Sequence, residues 1–253
     1  AFQQADPATQ NAAKMQSFGV QMAQVQQMAN DPWVGIDTST ITGEDVVLIP
    51  DNMFSMFVPS NVVMFAFFIV GAMSSELLQE RQQGSLRRLM AAPIPRWSII
   101  IAKMLAYIGL VLVQVLIIFG IASLLFEMPL GESLPGLLLV SVVLGLTATA
   151  LGVMIAALAK TDKQADSIGM LLGFLLAAIG GCFIMGSPVP LYHQGGTVEI
   201  ISRLTPHAHA LMAYGKLLNE GAGVVEVLPQ VGILMGFAVV FFGIAVWRFR
   251  FEQ

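Results

Sequence analysis

The sequence predicts an all-α membrane protein: a polytopic helical bundle with five spans present, carrying the remnant of an extracellular α/β domain. Three observations predict it. Hydrophobic residues make up 56% of the 253 and charged residues 11%, less than half of the roughly 25% charged in a soluble domain, and mean hydropathy is +0.77. The apolar residues form continuous runs rather than the period-two alternation of a membrane barrel. Several runs are long enough, at about 1.5 Å per residue, to cross a hydrocarbon layer of about 30 Å.

Residues 1–50 are polar in character. "NAAKMQSFGVQMAQVQQMAN" has loose helical spacing and stops at Asn30-Asp31-Pro32, and "WVGIDTSTI" is strand-like, with β-branched residues in extended alternation. We expect this to be the end of a small mixed domain. The remainder, 51–253, is expected to form a transmembrane domain with spans at about 57–75, 98–126, 134–159, 167–187 and 227–247 and an outer interfacial segment at 188–226. The chain starts with Ala and with polar residues, so a sixth, amino-terminal span is expected to precede it. Cys182 is the one cysteine, so no disulfide forms within the chain, and its apolar setting predicts a small buried side chain. A net charge of −4 without a broad basic face argues against nucleic acid as a partner.

Alternation of spans sorts the connecting segments onto two sides. One side collects Arg81, Arg87, Arg88, Arg96, Lys160, Lys163, Arg248 and Arg250; the other has Lys14, Arg203 and Lys216. The positive-inside rule places the first set in the cytoplasm. Residues 1–56 are then extracytoplasmic and the carboxyl terminus cytoplasmic, in a plasma membrane. Lys103 lies just inside the second span, close enough to snorkel to the cytoplasmic side.

The densest charge lies between the first two spans, in "ELLQERQQGSLRRLMAAPIPRW" at 76–97. Gly84 interrupts it and Ser85 is suited to cap a new helix. Leu86, Leu89 and Met90 then share one face while Arg87 and Arg88 leave by another, and Pro93 and Pro95 end the turn. The result is a short amphipathic helix on the cytoplasmic surface. It serves either as an anchor on anionic headgroups or as a docking helix for a cytoplasmic partner. Glu76 and Glu80 favour the second, pairing with basic residues of a partner or with local arginines.

That stretch resembles the signature of type-2 ATP-binding-cassette (ABC) exporter permeases. The resemblance rests on Glu80-Arg81, Gly84-Ser85-Leu86, Arg87-Arg88-Leu89, Ala92-Pro93 and Ala102-Lys103. It extends to "ALAKTDKQAD" at 157–166, "LTPHAHALMAYGKLLNEG" at 204–221 and the basic tail "WRFRFE", in order over roughly residues 50–253. It implies a coupling helix within 76–92, with Glu80, Arg81, Gly84, Leu86, Arg87, Arg88 and Leu89 facing a separate ABC ATPase subunit. ATP and Mg are bound by that partner, and this chain carries no cofactor. It also implies a second permease copy, as a homo- or heterodimer, and an extracellular domain between the first two spans, of which residues 1–50 are the end. A bacterial inner membrane fits the same resemblance.

No Walker-type phosphate loop occurs in the sequence, and the interiors of the predicted spans lack acids or bases that relay protons. An external energy source is therefore expected. Gln114, Ser141, Thr147 and Thr149 are the deepest polar residues and are the candidates for a substrate path, against a packing role for the small-residue stripe around Gly145, Ala148 and Gly152. Gly169, Gly173, Gly180 and Gly181 are read as packing positions, with the last two thinning or bending the helix end. His207 and His209, two apart, point to different sides of a helix, and no metal site is expected. That helix starts at Thr205-Pro206, ends near Gly221 and lies in or dips into the outer boundary, where Tyr192 and Tyr214 suit the interface. The expected function is that of a non-enzymatic membrane subunit of an ABC exporter; the competing reading is an ATP-independent channel or scaffold.

Overall fold

The structure, a computed structural model, describes residues 54–83, 96–183 and 190–250, all within the unit spanning 47–253. The expected α/β remnant and the amphipathic helix with Gly84, Leu86, Arg87, Arg88 and Leu89 lie outside the described residues. Every regular element among those described is helical. They are α1 (Phe54–Gln82), α2 (Arg96–Phe126), α3 (Leu134–Leu158), α4 (Asp162–Gly180), a short 3-10 turn (Leu191–His193), α5 (Gly196–Arg203), α6 (Pro206–Asn219) and α7 (Val224–Arg250).

Local chemistry sets the ends. Ser133 caps α3 by accepting a hydrogen bond from the Gly136 N–H at 3.2 Å, with Pro135 in the first turn where no amide is missed. Thr161 caps α4 through the Gln164 N–H at 3.1 Å. Thr205 caps α6 ahead of Pro206, as the sequence predicts. Glu226 accepts from the Gly223 N–H at the start of α7, where a negative charge also suits the helix dipole.

Among the described residues four helices are long and apolar enough to cross a membrane: Phe54–Glu80, Ser98–Phe126, Leu134–Leu158 and Val224–Arg248. The span expected at 167–187 departs from its predicted bounds. Its helix, α4, starts earlier, at Asp162, and stops at Gly180. Gly181 takes φ +92°, a left-handed conformation, and the Cys182 N–H reaches back to the Ala177 carbonyl at 2.9 Å, closing the end in a Schellman-type turn. Cys182 and Phe183 therefore do not prolong the helix, and Asp162, Lys163 and Asp166 occupy its opening turns.

α3 is the centre of the bundle. Buried residues make up 72% of its apolar stretch, against 22% for α2 and 28% for α7. It packs most extensively on α7 and also meets α1, α2 and α6, while α1 runs along α4. In lipid the hydrophobic effect does not press helices together, so close packing of small residues must do so. A Cβ on Gly169 would lie 2.5 Å from the Cα of Gly71, and one on Gly152 would lie 3.1 Å from the Met73 Sδ. Gly169 lets α4 approach α1 backbone to backbone, and Gly152 lets α3 take the Met73 side chain of α1 against its own backbone.

The two ends of the bundle are distinct. At one, the Gln82 amide donates to the Lys160 carbonyl at 3.4 Å, joining the end of α1 to the α3–α4 turn. At the other, Gly131 sits against the backbone of Leu217 and Gly180 against Thr205 and His207. The 127–133 turn, the end of α4 and helix α6 thus share the opposite end.

Candidate functional site

α1 has 29 residues, a length of about 43 Å, more than a hydrocarbon layer of about 30 Å requires. Its last turns carry Glu76, Glu80 and Arg81 as continuous helix and precede the charged stretch of sequence at 84–95. Glu76 and Glu80 lie one turn apart on this end. Lys103 and Tyr107 lie one turn apart near the start of α2. The antiparallel course of the two helices sets 80 against 103 and 76 against 107. Lys103 Nζ donates to Glu80 Oε1 at 2.6 Å, with both side chains about three-quarters buried, and the Tyr107 hydroxyl donates to Glu76 Oε2.

These partners differ from those expected. Glu76 and Glu80 bond to α2 within the chain, and Lys103 pairs with Glu80 instead of reaching for headgroups. A lysine that shares a half-buried carboxylate gains more than one exposed to screened solvent. The signal was present in the sequence as two polar pairs at i,i+4, one on each side of the same connection. On its other flank α1 is held by Ser74, whose hydroxyl reaches the Gly71 carbonyl at 2.9 Å and the Ala165 carbonyl at 3.2 Å. Of the predicted coupling residues, Glu80 is placed in this way and Arg81 lies on the last turn of α1.

The four candidate substrate-path residues are not brought together. The Gln114 amide donates to the Val62 carbonyl at 3.2 Å, between α2 and α1. Ser141 donates to the Leu137 carbonyl at 2.6 Å and meets the Tyr214 hydroxyl at 2.9 Å, between α3 and α6. Thr147 reaches the Val143 carbonyl at 2.8 Å and the Leu234 carbonyl at 3.0 Å, between α3 and α7. Thr149 bonds to the Leu146 carbonyl at 3.1 Å and borders a narrow apolar crevice with Ala66, Ile69, Val70 and Met73. Ser141, Thr147 and Thr149 are all buried. Each hydroxyl satisfies itself on a helix carbonyl, the economical solution where water is absent.

Helix α6 is packed into the protein. His207, Tyr214 and Leu217 are fully buried among the neighbouring helices. Tyr214 is therefore a core residue rather than an interfacial one, packed on Phe119 with ring centroids 5.4 Å apart. Burial pushes its hydroxyl pKa up. His207 and His209 do face different sides. His207 lies on the Phe67 ring of α1 at 4.0 Å between centroids, and both its ring nitrogens are buried without a hydrogen-bond partner. Burial pushes its pKa down to about 3. His209 donates through Nε2 to the Arg203 carbonyl at 2.7 Å, and burial lowers its pKa too.

Comparison with known proteins agrees with this architecture. The family described as "ABC-2 family transporter protein" matches residues 2–247. The chain is 30% identical over 201 residues to the inner membrane transport permease YhhJ of Escherichia coli K12, covering 77% of this chain and 50% of that protein. It is 26% identical over 188 residues to the linearmycin resistance permease protein LnrN of Bacillus subtilis, covering 74% of this chain and 47% of the relative. It is 30% identical over 153 residues to the probable multidrug ABC transporter permease YbhR of E. coli K12, covering 60% and 40%. The chain thus spans about half the length of the curated relatives it matches. No solved structure matches it. A helical bundle built around one small-residue span, with a long first helix leading toward a charged stretch of sequence, is in this chain the architecture of a multi-pass membrane protein, and the chain belongs to the ABC-2 transporter family.

Proposed function

We propose that the chain is the membrane-spanning subunit of an ABC exporter, moving its substrate outward with energy from ATP hydrolysed by a separate nucleotide-binding subunit. One observation supports this above the rest: α1 continues as unbroken helix through Glu76, Glu80 and Arg81, and its end is tied to both α2 and the α3–α4 turn. A push on the segment that follows would therefore enter a stiff part of the bundle. In this reading residues 76–92 form the coupling region. Leu86 and Leu89 provide its apolar anchor, Arg81, Arg87 and Arg88 its charged face, and Gly84 the break that frees it from α1. ATP and Mg belong to the partner, and two permease copies complete the transporter.

The names of two relatives, one for linearmycin resistance and one for multidrug transport, favour efflux of a small molecule. Residues 1–56 are extracytoplasmic in this arrangement and the carboxyl terminus cytoplasmic. The test is co-expression with a candidate ABC ATPase. Leu86→Asp and Gly84→Pro are expected to insert normally but to lose the permease-dependent change in ATP turnover. Full coupling in both variants would reject the assignment.

A further inference from the structure

The paired side chains at the base of α1 and α2 do more than neutralise one another. We infer that Glu80–Lys103 and Glu76–Tyr107 are a two-rung clamp that makes α1 and α2 tilt together, so that these four act as positioning residues for coupling. The inference rests on the permease reading above.

α2 is the long helix held least by the bundle: Leu105, Leu110, Leu116 and Leu124 are all exposed along it. In lipid such a face contributes little to holding the helix in place, because lipid tails solvate it as well as a protein neighbour does. Directional polar bonds are then what fix α2 against α1, and the rungs supply two of them one helical turn apart. A single bond would act as a pivot, whereas two bonds separated along the axis resist rotation of one helix against the other.

Their place matters as much as their chemistry. α1 ends at Gln82 and α2 begins at Arg96. Glu80 and Glu76 therefore lie within about two turns of the end of α1, and Lys103 and Tyr107 about two and three turns into α2, next to the connection that a partner would push. Without them, force on that connection would splay two antiparallel helices. With them, the force becomes a concerted tilt, passed on through Ser74 and Gln82 to the start of α4 and the α3–α4 turn. Ionisable groups near the apolar zone are costly to place. Here each finds its partner inside the protein, which fits a mechanical role better than a substrate contact.

The test uses the full chain co-expressed with its nucleotide-binding subunit, reading co-purification and the ATP turnover of the complex against that of the subunit alone. Lys103→Ala is expected to co-purify like the wild type yet lose about tenfold of the permease-dependent change in turnover, within the usual range of coupling between sites. Tyr107→Phe is expected to lose part of it. The exchange Glu80→Lys with Lys103→Glu is expected to restore most of the loss, an effect that general destabilisation would not produce. The clamp is overturned if Lys103→Ala keeps the full change. It is equally overturned if the exchange does no better than the single variants, whether or not they co-purify. If the wild-type chain neither binds the subunit nor alters its turnover, the permease reading itself fails, and the clamp falls with it; that result is read on the wild type alone.

Discussion

The hydroxyl of Tyr214 lies 2.9 Å from the hydroxyl of Ser141, joining helix α6 to the most buried span of the bundle. Ser141 also bonds to its own helix through the Leu137 carbonyl, so the two residues are not equivalent. Tyr214→Phe removes one bond and leaves Ser141 satisfied, at an expected cost of about 1 kcal/mol, the scale of side-chain hydrogen bonds between membrane helices. Ser141→Ala leaves a fully buried phenol unpartnered, for about 1–3 kcal/mol. Thermal unfolding in detergent should rank Ser141→Ala as the more damaging, with the double variant less damaging than the sum. Strict additivity would mean that the bond contributes nothing.

The crossing of α1 and α4 depends on hydrogen atoms standing where a methyl group would not fit. Gly169→Ala places its Cβ 2.5 Å from the Cα of Gly71, and backbone cannot yield as a side-chain tip can. We expect a loss of about 1–3 kcal/mol from overpacking. Gly109→Ala and Gly120→Ala, with nothing within 4 Å, should be neutral or slightly stabilising, since Ala forms helix better than Gly. Equal effects at the three positions, measured by the same unfolding assay, would show that helix propensity and not contact governs them.

What could be read in advance divides along the same physical line. The four candidate spans were legible because a bilayer demands long apolar runs, and Thr205-Pro206 was legible because an amide-free first turn and a capping hydroxyl act locally. The end of α4 was not, because Gly180-Gly181 sits within an apolar run that continues, and only the left-handed turn at Gly181 decides the outcome. Tyr214 misled for another reason: tyrosine suits an interface on average, but here Ser141 supplies a partner deep in the bundle. Lys103 pointed toward headgroups until Glu80 was seen opposite it. The two i,i+4 polar pairs flanking the connection hinted at it, but only the register of α1 against α2 sets 80 opposite 103.

His207 makes stability depend on acid. Its ring is buried against Phe67 with no partner for either nitrogen, and burial pushes its pKa down to about 3 from the usual 6.5. The folded state thus binds fewer protons than the unfolded state between those values. Its contribution is fully present above about pH 6.5 and is lost as pH falls toward 3, by as much as about 1.4 kcal/mol per pH unit. Unfolding temperatures in detergent between pH 7.5 and 4.5 should fall, and His207→Phe should flatten the slope. His209, which shifts in the same direction, leaves a smaller residual slope in that variant. An unchanged slope in His207→Phe would place the acid sensitivity elsewhere.

Sidedness yields the last prediction. The Gln82–Lys160 contact puts the end of α1 and the α3–α4 turn at one end of the bundle, and the contact of Gly131 with Leu217 puts the 127–133 turn at the other. The first end carries Arg81, Arg96, Lys160 and Lys163, while the 127–133 turn carries Glu127 and Glu132 without a base. The positive-inside rule then predicts that the first end faces the cytoplasm. In a Cys182→Ala background, Glu132→Cys should react with a membrane-impermeant maleimide on intact cells. Lys160→Cys, equally exposed in the fold, should react only after the membrane is opened. The reverse pattern would turn the bundle over, remove the charged connection from the reach of a cytoplasmic ATPase, and refute the exporter mechanism together with its orientation.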